Sequence, residues 1–110
     1  MKIVRVQYTT TSEYAPANKE NIRQIVNELR SINHPGIKYS AWLLPDGKTF
    51  MHFDQLENEE AHHFLQSLES FKKFADELAG SKLEVEPKLE LLTLVASTEN
   101  LFGLAGRLLS

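Results

Sequence analysis

The stretch from Ile37 to Asp54 constrains the fold most. Ile37 to Leu44 and Thr49 to Asp54 are rich in aromatic and branched residues, and Pro45-Asp46-Gly47 separates them. Proline presets φ at the first central position of a turn, and glycine supplies a left-handed position, so the two runs must fold back on each other as a hairpin. An isolated hairpin is at best marginally stable in water, so the flanking sequence has to cover it.

The flanks are built for that. Lys2 to Thr10 alternate, with Val4, Val6 and Tyr8 on one side and Ile3, Arg5 and Gln7 on the other, which is the period of a strand. Ile22, Ile25, Val26, Leu29 and Ile32 then recur at helical spacing, with Pro16 acceptable only near the helix start and His34-Pro35-Gly36 beyond its end. After the hairpin, Asn58 followed by Glu59 and Glu60 caps a second helix. Its apolar stripe reads Ala61, Phe64, Leu65, Leu68, Phe71, Ala75 and Leu78, and Gly80 stops it. Leu89 to Ala96 is apolar almost throughout, the pattern of a strand covered on both faces. The order βαββαβ predicts a ferredoxin-like α+β fold, a four-stranded sheet in order 4-1-3-2 with two helices on one face. Residues 1–98 form that domain. Residues 99–110 form an apolar C-terminal tail in which Leu101, Leu104, Ala105 and Leu108 repeat at helical spacing, beside Phe102 and Leu109, as a short helix packing on the dimer would.

Composition narrows the function classes. A chain of 110 residues with no cysteine excludes disulfides, zinc ribbons and thiolate nucleophiles. Twelve basic against fifteen acidic side chains give a net charge of −3, the wrong sign for a phosphate-backbone partner, so no nucleic acid is expected. No apolar run approaches the roughly 18 residues of a membrane span, and Lys2 and Arg5 interrupt what would be the apolar part of a signal peptide; the expectation is a cytoplasmic protein without a membrane partner. No Gly-rich phosphate loop, GxSxG elbow or HExxH motif occurs. Glu59 and His62 share a helix face, but one such pair on one helix makes no di-iron site, and His62 and His63 point about 100° apart. No metal is expected.

The hairpin sets the faces. A three-residue loop with a G1 bulge pairs Leu44 with Lys48, Trp42 with Phe50, Ser40 with His52 and Tyr39 with Phe53. Ile37, Tyr39, Ala41, Leu43, Met51 and Phe53 then join Val4, Val6 and Tyr8 under the helices. The opposite face carries Lys38, Ser40, Trp42, Phe50, His52 and Asp54 beside Ile3, Arg5 and Gln7, too aromatic to face water. A symmetric homodimer closing two such sheets into a barrel would cover it.

Phe50-Met51-His52-Phe53 running into Glu57-Asn58-Glu59-Glu60-Ala61, with the later Ser67-Leu68-Glu69-Ser70-Phe71-Lys72-Lys73-Phe74, resembles the dimeric α+β barrel superfamily, and within it the antibiotic-biosynthesis-monooxygenase-like group of small bacterial proteins. The resemblance spans about residues 1 to 98. It implies a small-molecule enzyme that oxidises an aromatic substrate without a bound cofactor, in a pocket between sheet and helices. Haem-degrading relatives are expected to carry Asn on the first strand, Trp in the second helix and an axial His near its end; Gln7, Phe64 and Phe74-Ala75 stand there instead, so haem degradation is not implied. The superfamily also holds members of no known activity.

The candidate catalytic residues are His52 and Tyr8. His52 sits mid-strand, with Arg5 and Gln7 on a parallel neighbour and Trp42 diagonal to it, and is a general base or substrate-binding group at the barrel centre. Its plainer and commoner role is a histidine fixed in a dimer-interface network. Tyr8 and Tyr39 are the polar-tipped residues sent into the pocket, against a plainer reading as core residues with hydroxyls at the rim. Tyr39, Trp42, Arg5 and Gln7 are candidate contacts to a small aromatic or apolar ligand, with Trp42 more naturally an interface anchor. The competing function is a non-catalytic dimer that binds an apolar ligand or serves in a stress response.

Overall fold

A computed structural model describes residues 1–103. Among them the order is β1 (Lys2–Thr9), α1 (Ala15–Ile32), β2 (Ile37–Leu43), β3 (Thr49–Leu56), α2 (Glu59–Ser67), α3 (Glu69–Gly80) and β4 (Val85–Leu92), followed by a short 3-10 turn, Leu101–Gly103. The strands form one antiparallel sheet in the order β2-β3-β1-β4, which is 4-1-3-2 read from the other edge. Pro16 lies in the first turn of α1, where its missing N–H costs nothing, and Asn33 closes the helix in the left-handed conformation with its N–H on the Leu29 carbonyl. Asn58 caps α2 by accepting from the Ala61 N–H. One core gathers Ile22 and Ile25 of α1, Tyr8, Phe50 and Leu56 of the sheet, and Ala61, Leu65, Phe74 and Leu78 of α2 and α3.

The hairpin register differs from expectation by one residue. Leu43 faces Phe50, Trp42 faces Met51, Ala41 faces His52 and Tyr39 faces Asp54. The loop is Pro45 to Lys48, four residues, because the Asp46 carboxylate takes the amide hydrogens of both Lys48 and Thr49, at 3.0 and 2.8 Å, and Leu44 N–H donates to the Thr49 carbonyl at 2.9 Å. Gly47 keeps the left-handed position, φ +78°. Since side chains alternate strictly, the slip exchanges both faces of β3. Phe50, His52 and Asp54 turn inward with Tyr39 and Ala41, and Met51 and Phe53 turn outward with Ser40 and Trp42.

Two other expectations change. The second helix is broken: Leu68 is extended (φ −65°, ψ 137°), and Glu28 of α1 caps the restart, its Oε1 accepting from Ser70 N at 3.1 Å and Ser70 Oγ at 2.5 Å. One extended residue resets the helical phase, so Phe74 rather than Ala75 is buried. The last strand starts at Val85 and ends at Leu92, at the sheet edge. Pro87 sits within it, at the irregular register between Gln7 and Thr9, which an edge strand tolerates because half its amides have no ladder partner. That edge is not covered on both faces; Leu89 and Leu91 are 63% and 67% exposed. In the tail, Leu101 is 6% exposed and Lys38 Nζ stands 5.6 Å from the Phe102 ring centroid, which sets the turn against the outward face of the sheet. The expected helical stretch through Leu104, Ala105 and Leu108 lies outside the described residues. No helix among the described residues is long and apolar enough to cross a membrane.

Candidate active site

The chemistry gathers between the sheet and α3. Tyr8 pairs with Phe50 across β1 and β3, and Val6 with His52, so Tyr8 and His52 lie on one face, diagonal neighbours whose rings are 5.4 Å apart. The Tyr8 hydroxyl is 2.8 Å from His52 Nε2, and the Tyr39 hydroxyl, from β2, is 2.7 Å from Nδ1. Asn18 of α1 donates from Nδ2 to the Tyr8 oxygen at 2.8 Å. A hydrogen-bonded chain Asn18–Tyr8–His52–Tyr39 therefore runs through the core. Tyr8 is 1% and His52 4% exposed.

A cavity of about 130 Å³ opens beside this chain, lined by Val6, Tyr8, Tyr39, His52, Asp54, Phe71, Phe74, Leu78 and Pro87. Phe74 packs on His52 at 5.3 Å and on Phe71 at 6.0 Å, so α3 supplies an aromatic wall. Roomier clefts, about 230 Å³ beside Asn33, His34 and Tyr39 and about 300 Å³ beside Lys19, Arg23 and Trp42, lie at the surface and hold no comparable hydrogen-bonded set.

Burial decides the electrostatics. Desolvation lowers the pKa of His52 to about 4, so at neutral pH the ring is uncharged and holds one proton on one nitrogen. Desolvation also lifts Asp54, to about 6, with no cation among the cavity-lining residues to hold the carboxylate down. Both tyrosines rise above the ordinary tyrosine range, Tyr8 through burial against a lowering hydrogen bond from Asn18, and Tyr39 through burial and then the Asp54 charge. The cavity thus pairs an uncharged relay with one carboxyl poised near physiological pH.

The predicted residues divide. His52, Tyr8 and Tyr39 come together. Arg5, Gln7 and Trp42 do not line the His52 cavity: β1 and β3 are antiparallel, and these three lie on the outward face, although Arg5 and Gln7 border a separate cleft of about 270 Å³ with Tyr8, Thr9, Val85 and Lys88. On that face Arg5 binds Glu90 at 2.6 Å, Gln7 at 2.5 Å and the Met51 sulfur at 3.2 Å. Trp42, 58% exposed, donates to Ser40 Oγ. His52 therefore belongs to the pocket under the helices, not to the outward face. Glu59 and His62 meet each other at 3.8 Å and share Lys2; among the described residues no three His, Cys, Asp or Glu side chains converge as a metal site does.

Sequence reasoning passed over Asp54, Asn18, Phe71 and Phe74 as site residues. Asp54 follows His52 by two and so shares its face in any register. Asn18 precedes Ile22, Ile25 and Leu29 at helical spacing, and a polar residue on an apolar stripe needs a buried partner. Phe74 carried no such signal, because the helix break sets its phase.

The four-stranded antiparallel sheet with its helices is a sheet-and-helix α+β fold shared with solved structures named for antibiotic biosynthesis monooxygenases. A solved structure from Nitrosomonas europaea, named as a candidate antibiotic biosynthesis monooxygenase, superposes with a TM-score of 0.72 at 15% identity, over 86% of this chain and 99% of that one. A protein of Pseudomonas aeruginosa gives 0.71 at 21% identity, over 86% and 94%. A third, from Deinococcus radiodurans and also named as a candidate monooxygenase, gives 0.70 at 16%, over 90% and 97%. No protein-family model matches the sequence, and no curated protein resembles it significantly. At these identities the likeness is one of fold.

Proposed function

We propose that this chain is a monooxygenase-like enzyme that takes a proton from a single-ring phenolic substrate in the cavity under α3 and lets the resulting anion react with dioxygen, without a bound cofactor. The observation that carries the reading is Asp54: a half-buried carboxyl with a pKa of about 6, facing an aromatic-walled cavity beside the Tyr39 end of the relay. A general base works best when its pKa lies near the working pH, and His52, at about 4, is too weak a base for the role. Asp54 is the base, the Tyr39 hydroxyl donates to the substrate oxygen, and His52 and Tyr8 hold Tyr39 in place. Phe71 and Phe74 stack on the ring. A cavity of about 130 Å³ matches one aromatic ring, since an engineered apolar cavity of roughly 150 Å³ holds benzene. The balance needs no external reductant: phenol plus O2 gives quinone plus water.

The same reading includes a homodimer closed through the outward face, where Trp42 lies exposed near Met51 and Phe53, with the Leu101–Gly103 turn beside that contact. The test is incubation of single-ring phenols under labelled dioxygen. We expect a quinone bearing one labelled oxygen, and a loss of about 10²-fold or more on Asp54→Asn. Wild-type protein no faster than buffer overturns the enzymatic reading; saturable phenol binding without turnover would leave a ligand-binding protein.

A further inference from the structure

We propose that Asn18 is a positioning residue that sets the direction of hydrogen bonding through Tyr8, His52 and Tyr39. Only its effect on turnover rests on the enzymatic reading above; the direction is a property of the folded chain.

A neutral imidazole has one N–H donor and one acceptor nitrogen. Both nitrogens of His52 are engaged by tyrosine hydroxyls, at 2.8 and 2.7 Å, and a hydroxyl can donate or accept. The chain could therefore run either way, and a group outside it must choose. Asn18 is that group. It is fully buried, its Nδ2 donates to the Tyr8 oxygen, and its Oδ1 has no partner among the described residues, so Tyr8 is its one side-chain partner. With a lone pair occupied by Asn18, Tyr8 directs its own proton to His52 Nε2. The imidazole proton then sits on Nδ1 and donates to the Tyr39 oxygen. That leaves the Tyr39 hydrogen free for the cavity, where Asp54 and any ligand stand. An acceptor in place of Asn18 reverses each step: Tyr8 turns to it, Nε2 takes the proton, and Tyr39 donates to Nδ1 instead of to the cavity.

Nitrogen NMR on histidine-labelled protein reads the direction, with His52 assigned by its loss in His52→Gln. At neutral pH the wild type should show a pyrrole-like Nδ1 and a pyridine-like Nε2; the opposite or an averaged pair overturns the proposal. Asn18→Asp supplies a carboxyl that can donate to Tyr8 when protonated and can only accept when ionised. The two nitrogens should exchange character as pH rises through its titration, and turnover of the phenol should fall about 10²-fold over the same interval with KM little changed. Turnover that falls while the nitrogens keep their character overturns the positioning role. Should Asn18→Asp fail to fold, the wild-type spectrum decides alone. A Nδ1–H ring in a protein that oxidises no phenol would remove the enzymatic reading and leave the direction standing.

Discussion

His52 and Asp54 stand two residues apart on one face of β3, and the same burial drives their pKa values in opposite directions, to about 4 and about 6. Their contributions to stability therefore oppose each other. His52 falls from 6.5, so it stabilises the fold fully above pH 6.5 and that stability is lost as pH falls towards 4, by up to about 3 kcal/mol. Asp54 rises from 3.8, so the fold is favoured while the carboxyl is protonated and loses about 3 kcal/mol as pH rises through 6. In the wild type the two largely cancel between pH 4 and 6.5. Asp54→Asn should raise the unfolding free energy at pH 7 and expose a steep acid loss that the wild type lacks. Denaturant titrations across that range check it; parallel pH profiles for the two proteins would falsify the assignment.

Tyr8→Phe removes the one link between Asn18 and His52. It leaves a buried amide hydrogen and a ring nitrogen unpaired, at a cost of about 1–3 kcal/mol. Tyr39→Phe should cost less, since Tyr39 is only half-buried and its loss frees one nitrogen beside a cavity. Urea midpoints rank the two, and the reverse order would count against the buried chain.

Trp42→Glu places a charge on the outward face. If two sheets close there, the charge is buried unpaired and the dimer should weaken by about 100-fold or more in dissociation constant. Sedimentation equilibrium of wild type and variant reads this directly; a wild type that sediments as a monomer at micromolar concentration removes the proposed interface.

Glu28→Ala takes away the acceptor that caps α3 from α1. The expected loss is about 1 kcal/mol, with faster hydrogen exchange at Ser70 and the first turn of α3. Unchanged exchange there would mean that the helix break at Leu68 has another cause.

The sequence by itself determined what depends on neighbours in the chain. The period of Lys2 to Thr9, the turn at Pro45-Asp46-Gly47, the proline at the start of α1 and the Asn58 cap act within a few residues of themselves, and together they specify the order of elements and hence the sheet. His52, Tyr8 and Tyr39 were legible as candidate site residues because a polar atom on a strand that must be buried needs a partner. Only the tertiary structure decided which face of β3 turned inward. Two loop closures, of three and four residues, lie within reach of the same hairpin sequence, and the one stabilised by the Asp46 carboxylate moved His52 and Asp54 into the pocket and left Trp42, Arg5 and Gln7 outside. The break at Leu68, which carries Phe74 to the cavity, is followed by a helix start that Glu28 caps at Ser70, from 42 positions away. Register and helical phase shift by a single residue at small local cost while exchanging whole faces, so contacts distant in sequence choose between them.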